Sequence, residues 1–306
     1  MRLVTFQPKR GEPARVGVLA ADGSIVDLKR AAKSAGVPLP FDPTSMLDLI
    51  RSGRAGLAAT RKATAKAKGH HAADKVRLLA PIPRPTKNVF CVGWNYLEHF
   101  KEGEKIRPNI TQLPDFPVFF TKCATAVCGP RDPIPFDAKV TEKLDWEVEL
   151  GVILGRAGKN IAEADAMKHV FGYTVINDVS GRDIQRRHGN QWFKGKSLDA
   201  SCPMGPWIVT ADEVDPTDLR VITRVNGVVK QDSNTSHMYF KIPRIVAELS
   251  VGMTLEPGDI IASGTPEGVG HARNPPEFMS PGDVLETEIV GLGMLHNPIV
   301  DVARPR

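Results

Sequence analysis

DWEVELGVIL, Asp145 to Leu154, is a β-branched and aromatic run with two glutamates set two residues apart. Side chains on a strand alternate between faces. Glu147 and Glu149 therefore project together with Asp145 in line, and Trp146, Val148 and Leu150 take the other face. Carboxylates at this spacing repel unless water solvates them or a cation neutralises them. Taken alone, the run is either a strand with a wet acidic face or one wall of a metal site.

Strand signals continue outward on both sides. Val89 to Val92, Val118 to Thr121, Trp146 to Leu154 and Gly172 to Val179 share the same β-rich composition. Leu219, Val221, Thr223 and Val225 alternate with Arg220, Ile222 and Arg224, and the Asn226-Gly227 turn feeds Val228-Val229-Lys230 as a hairpin. Late strands are expected at Asp259 to Ala262, Val284 to Ile289 and Met294 to Val300. Helices are fewer: one opens at Asn160, with Glu163 completing a capping box, and another covers about Ile242 to Leu249. Many strands, few helices and no regular βαβ alternation indicate an α+β fold.

The N-terminal part reads differently. Arg15 to Ala20 and Ser24 to Leu28 form a hairpin around Ala21-Asp22-Gly23, and helical signals run from Pro43 through an alanine-rich basic stretch. Leu79-Ala80-Pro81-Ile82-Pro83-Arg84-Pro85 forbids helix, which places a domain boundary there. Residues 1–80 are expected as a small N-terminal α/β domain and residues 81–306 as the catalytic domain. With 306 residues, 42% hydrophobic and 25% charged, the chain can bury a substantial core. It has no apolar run of the roughly 18 residues a membrane span needs, and its start has no signal-peptide core. Four cysteines without a Cys-x-x-Cys pair fit a reduced, cytoplasmic protein. The net charge of +5 is local: eight basic residues between Arg51 and Arg77 face Asp74 alone, so the rest of the chain is slightly acidic. Interleaved alanines and the absence of aromatics make that segment a solvated helix rather than a nucleic-acid surface.

Chemistry gathers elsewhere. Val175-Ile176-Asn177-Asp178 ends an apolar strand on an acid, which is costly to bury unless paired or metal-bound. Glu147, Glu149 and Asp178 together make an all-oxygen donor set suited to Mg²⁺ or Mn²⁺ rather than zinc. His99 and Glu102, three apart, share a helix face, and a carboxylate beside an imidazole fixes its tautomer and raises its basicity. Arg182, Asp183 and Gln185 are either a polar helix turn or, through Arg182, a bidentate grip on a substrate carboxylate. Lys194-Gly195-Lys196-Ser197 lacks the earlier glycine of a phosphate-binding loop. The glycine-rich loop Ser263 to Gly270 has no nucleotide-site lysine, yet its N–H groups can hold a carboxylate.

In order and spacing these segments resemble the fumarylacetoacetate hydrolase family. The matching pieces are Val92 to Tyr96 with His99 and Glu102, Phe120-Thr121-Lys122, Trp146 to Gly151, Asn177 to Ser180 with Arg182 to Gln185, Lys196-Ser197, and Ser263 to Gly270. They span about Lys87 to Val300, and six weak motifs in order are specific together. The N-terminal segment resembles the extra domain of longer bacterial members. The resemblance implies a mixed β-sandwich roll, usually dimeric, with Mg²⁺ or Mn²⁺ on Glu147, Glu149 and Asp178. It further implies a water-activating pair at His99 and Glu102 on a segment that closes over the site, and a charge-stabilising lysine at Lys196. Substrate contacts are implied at Arg182, Gln185 and Thr265. No ligand role is carried over to Asp145, which is expected to orient water.

The expected reaction is metal-dependent hydrolysis of the C–C bond of a 2,4-dioxo acid, an acylpyruvate, giving pyruvate and a carboxylic acid. His99 activates water for attack on the 4-carbonyl, Lys196 stabilises the oxyanion, and the leaving pyruvate enolate is held by the metal. The segment between Lys101 and Pro117 is assigned to the acyl end. Three alternatives stay open: an oxaloacetate-type decarboxylase on the same site, hydratase or isomerase chemistry on a 2-oxo acid, and a non-enzymatic protein that binds through the basic helix.

Overall fold

The computed structural model describes residues 1–104, 112–189 and 191–302. Residues 105–111, part of the segment assigned to the acyl end, lie outside them. The acid-bearing strand runs Val148–Leu154 and is buried at every position. It pairs antiparallel with Val170–Asn177 on one side and with Ile260–Ala262 on the other. Both faces are covered. Val148, Leu150, Val152 and Leu154 enter one apolar cluster, with Val175, Val246 and Leu295, while Ile153 enters a second, with Ile176, Met204 and Ile260. The acidic face therefore turns inward, and the wet-face reading does not hold. Gly151 lies on that crowded side, where a Cβ would meet Ile176 Cδ1 at 2.7 Å.

Among the described residues this strand belongs to a 12-stranded sheet. From one edge ten of its strands run His71–Ala72, Ser24–Asp27, Arg15–Leu19, Arg2–Gln7, Cys202–Thr210, Val170–Asn177, Val148–Leu154, Ile260–Ala262, Val89–Gly93 and Val118–Lys122, while Arg77–Leu78 pairs with Arg2–Gln7 and Val127–Cys128 with Cys202–Thr210 off that path. Most neighbours are antiparallel, and Ile260–Ala262 runs parallel to Val89–Gly93. A second sheet of five strands orders Val228–Asn234, Arg220–Val225, Val284–Ile289, Gly293–Asp301 and Ile134–Phe136. The architecture is mixed and sheet-rich, with short helices.

Residues 1–80 add strands to the main sheet. Arg2 pairs with Val209 and Leu3 with Ile208, and Leu3, Val16, Leu28, Leu49 and Ile50 share an apolar cluster with Ile176, Met204 and Ile260. The basic helix is Gly53–Thr64, with Gly56, Thr60 and Ala63 buried and Arg54, Arg61 and Lys62 exposed. Its neighbour Met46–Arg51 is capped by Ser45, whose side chain accepts from Asp48 N.

Two expectations are corrected. Asn160 caps no helix: its φ is +53°, its Oδ1 accepts from Gly252 N at 2.8 Å, and Glu163–His169 forms a 3₁₀ segment instead. An asparagine suits a left-handed turn as readily as an N-cap. The strand expected from Trp146 to Leu154 is also broken. Leu144–Asp145 pairs with Ser180–Gly181, and the ladder resumes only at Val148. At the break, Glu147 N donates to Asn177 Oδ1 and Val148 N to Gln231 Oε1, both at 3.0 Å, so side chains replace strand partners. The helix expected over Ile242 to Leu249 runs Ile242–Ser250.

Candidate active site

Where the ladder breaks, Asp178 N donates to the Glu147 carbonyl at 2.9 Å, which brings the end of Val170–Asn177 to the start of Val148–Leu154. One carboxylate oxygen each from Glu147, Glu149 and Asp178 lie within 4.8 Å of one another, and all three residues are at most 5% exposed. Three buried cations surround them. Lys196 Nζ is 2.7 Å from both Glu147 Oε2 and Asp178 Oδ2. Lys122 Nζ is 2.7 Å from Asp178 Oδ1 and donates to the Val179 carbonyl at 3.0 Å. Arg182 donates from Nη2 to Glu147 Oε1 at 2.6 Å, from Nε to Asp145 Oδ2 at 2.8 Å and from Nη1 to Gln185 Oε1 at 3.1 Å.

The electrostatics are uneven. Burial acts to raise the Glu147 pKa, but Lys196 and then Arg182 bring it down to about 2. Glu149 is pushed well above the usual carboxylate range by burial and by the charges of Asp178 and Glu147. It accepts from Gly264 N at 2.8 Å and has no ion pair among the described residues. Burial works against the Lys196 ammonium, yet Asp178 and Glu147 raise its pKa. Asp178 Oδ1 is buried, and its contact with Lys122 is an ion pair rather than a hydrogen bond. A hard dication suits this cluster: it takes oxygen donors, supplies a counter-charge beside Glu149 and adds a ligand bond to Asp178 Oδ1 beside its Lys122 ion pair. The donor set fits Mg²⁺ or Mn²⁺.

The His99–Glu102 pair forms as its spacing indicates. Both lie on the helix Leu97–Glu102, with His99 Nδ1 2.7 Å from Glu102 Oε1. A carboxylate can only accept, so Nδ1 carries the proton and Nε2 is left as the basic nitrogen. A positive charge on the His99 ring would lower the Glu147 pKa, so the pair lies close to the carboxylates. Asn95, fully buried just before this helix, positions it. Its Nδ2 donates to the Phe240 and Ser263 carbonyls at 3.0 and 2.7 Å, and its Oδ1 accepts from Phe240 N at 2.7 Å. Phe120 and Trp94 pack edge-on to Trp192, and the Lys196 ammonium lies 5.2 Å from the Phe120 ring centre.

Of the expected substrate contacts, Arg182 and Gln185 bond each other beside Glu147. Thr265 Oγ1 accepts from Gln231 Nε2 at 2.9 Å, and Gln231 in turn holds Val148 N. The glycine-rich loop does hold carboxylates, but they are the protein's own. Gly264 N bonds Glu149, Gly268 N bonds Glu102, and Gly270 N bonds Asp145. Lys122, Asp145, Gln231 and His271 gain contacts that the sequence reading did not assign. Lys122 stood in the sequence only within the Phe120-Thr121-Lys122 piece of the resemblance, with no role given, and His271 gave no signal at all.

The family profile described as "Fumarylacetoacetate (FAA) hydrolase C-terminal" matches residues 88–300. The chain belongs to the fumarylacetoacetate hydrolase family. Among family members, oxaloacetate tautomerase YisK of Bacillus subtilis is 42% identical over 294 residues, covering 93% of this chain and 95% of the relative. The human mitochondrial oxaloacetate tautomerase FAHD2A is 40% identical over 306 residues, covering 98% and 92%. The solved fumarylacetoacetate hydrolase from psychrophilic Exiguobacterium antarcticum superposes with a TM-score of 0.79 at 39% identity, covering 98% of this chain and 99% of that one. The maleylpyruvate hydrolase of Sphingobium sp. SYK-6, in complex with manganese(II) and pyruvate, does so with a TM-score of 0.76 at 31% identity and the same coverage. This fumarylacetoacetate hydrolase family member thus stands among enzymes, with a carboxylate cluster able to hold a metal. Among its described residues, no helix is long and apolar enough to cross a membrane.

Proposed function

We propose that the chain is a metal-dependent enzyme that interconverts the enol and keto forms of a 2-oxo acid of the oxaloacetate type. One observation carries this reading: a buried three-carboxylate cluster with one charge uncompensated lies beside a His–Glu pair and a buried lysine. The names of the relatives favour the isomerase alternative over the hydrolysis placed first on sequence grounds.

Glu147, Glu149 and Asp178 would hold Mg²⁺ or Mn²⁺, which when bound supplies a Lewis acid for the carboxylate and 2-oxo oxygens of the substrate. Glu102 holds the Nδ1 proton of His99 and so keeps Nε2 free to move a proton between the 2-oxygen and C3. The Lys196 ammonium offsets negative charge as it develops on the 2-oxygen. Arg182, Gln185 and Thr265 are proposed as substrate contacts, with Arg182 first giving up part of its hold on Glu147. Tautomerisation needs no attacking water, since the proton lost at oxygen is the one gained at carbon.

The maleylpyruvate hydrolase neighbour keeps acylpyruvate cleavage as the second reading. The test compares wild type, Glu147→Ala and His99→Ala with Mn²⁺, following loss of enol absorbance from oxaloacetate and release of pyruvate from oxaloacetate and from acylpyruvates. Enol–keto exchange that is lost in both variants, with no pyruvate formed, supports the proposal. Acylpyruvate cleavage lost in both would make the enzyme the hydrolase. Pyruvate from oxaloacetate that survives His99→Ala would make it the decarboxylase.

A further inference from the structure

Asp145 is fully buried and accepts hydrogen bonds on both oxygens. Oδ1 takes Trp146 N at 2.8 Å and Gly270 N at 2.7 Å. Oδ2 takes His271 N and His271 Nδ1, each at 3.0 Å, and Arg182 Nε at 2.8 Å. The residue next to Asp145 grips the same loop by its carbonyl side: Trp146 Nε1 donates to Gly268 O at 3.1 Å. Gly270 is packed so closely that a Cβ would lie 2.6 Å from Asp145 Oδ1 and 2.1 Å from the Glu277 carbonyl. The turn from Gly268 to His271 is thus clamped on the Asp145-Trp146 dipeptide, and it presents Gly268 N to Glu102 Oε2 at 2.8 Å. The other oxygen of Glu102 holds His99.

We propose that His271 is a positioning residue for the His99–Glu102 pair, acting through Asp145 and the Gly268 amide. A carboxylate held at both oxygens is a lever. A shift of the Gly268 amide turns the Glu102 carboxylate and with it the imidazole whose Nδ1–H it accepts. His271 is the side chain by which this turn grips Asp145, and its Nδ1–H donation fixes the turn at the point where Asp145 also holds Arg182. The inference deepens the proposed function and rests on reading His99 and Glu102 as the proton-transfer pair.

The experiment compares wild type, His271→Ala and His271→Asn as Mn²⁺-loaded protein. Asparagine places an amide donor near the position of Nδ1. A misplacement of this kind costs about 10- to 100-fold in rate. His271→Ala is therefore expected to lose at least about tenfold in kcat with KM changed less than about twofold, and His271→Asn to recover most of the loss. The ¹⁵N signal of His99 Nδ1 in the metal-free protein, assigned with a His99→Gln variant, should move in His271→Ala and return in His271→Asn. An unchanged His99 signal, a loss that asparagine does not repair, or a loss carried by KM would each overturn the inference. A Glu102→Ala variant as active as wild type would sink the reading of the pair as catalytic. The His99 signal would then still decide whether His271 positions it.

Discussion

Glu149 is the carboxylate of the buried cluster that no cation touches among the described residues, and Asp178 and Glu147 crowd it with like charge. Removing that charge should relax the metal-free protein and impair metal binding. Glu149→Gln keeps an oxygen for Gly264 N and is expected to raise the melting temperature of the metal-free protein by a few degrees, about 1 kcal/mol. Mn²⁺ affinity should fall by at least about tenfold, as titration calorimetry would show. His271 gives a pH signature. Burial, and then the charge of Arg182, lower its pKa from 6.5 to about 4, so the folded form keeps a neutral ring. An unfolded chain binds that proton near 6.5. The contribution to stability is therefore fully present above pH 6.5, drains away as pH falls toward 4, and changes no further below that. Urea melts of wild type between pH 7 and 4 should lose stability more steeply than those of His271→Asn. The acids themselves were legible in the sequence because a carboxylate in an apolar strand demands an explanation. His271 was not, since its partner Asp145 lies 126 residues earlier and no local pattern links them.

At the scale of elements, the helix Leu97–Glu102 is short and has no side-chain cap, so its placement depends on Asn95. Asn95→Ala would leave two buried carbonyls and one buried N–H without partners, at a cost of about 3 kcal/mol. Activity is expected to fall further than that stability loss implies, with kcat dropping in urea-free buffer where the protein remains folded. His99 and Glu102 were legible because three-residue spacing on a helix is a local rule. Strand interruption is not local. Nothing between Asp145 and Val148 announces the break, because its cause is Asn177 and Gln231, side chains borrowed from other strands. Asn160 misled for a related reason, as its Gly252 partner lies far along the chain.

For the whole molecule, the proline-rich stretch after Leu78 reads as a seam, yet the main sheet runs through it. Arg2–Gln7 lies against Cys202–Thr210, and both halves feed one apolar cluster. Calorimetry is expected to show a single unfolding transition for the full chain; two resolved transitions would show that residues 1–80 fold independently. The strand-rich class was legible because composition and alternation report local preference. The joining of the sheet was not, because register across about 200 residues leaves no trace in either strand alone.

That junction has a consequence for synthesis. Once made, the strand Arg2–Gln7 waits for a neighbour some two hundred residues behind it, on the order of 10 to 40 s at ordinary elongation rates. Leu3 and Val4, both destined for full burial, pass that interval with Arg15–Leu19 along one edge of their strand, while on the other edge Arg77–Leu78 pairs at Phe6 and Gln7. The nascent protein thus carries a partly open β-edge until Cys202–Thr210 is made, and a holdase that recognises such edges would meet the chain in that interval.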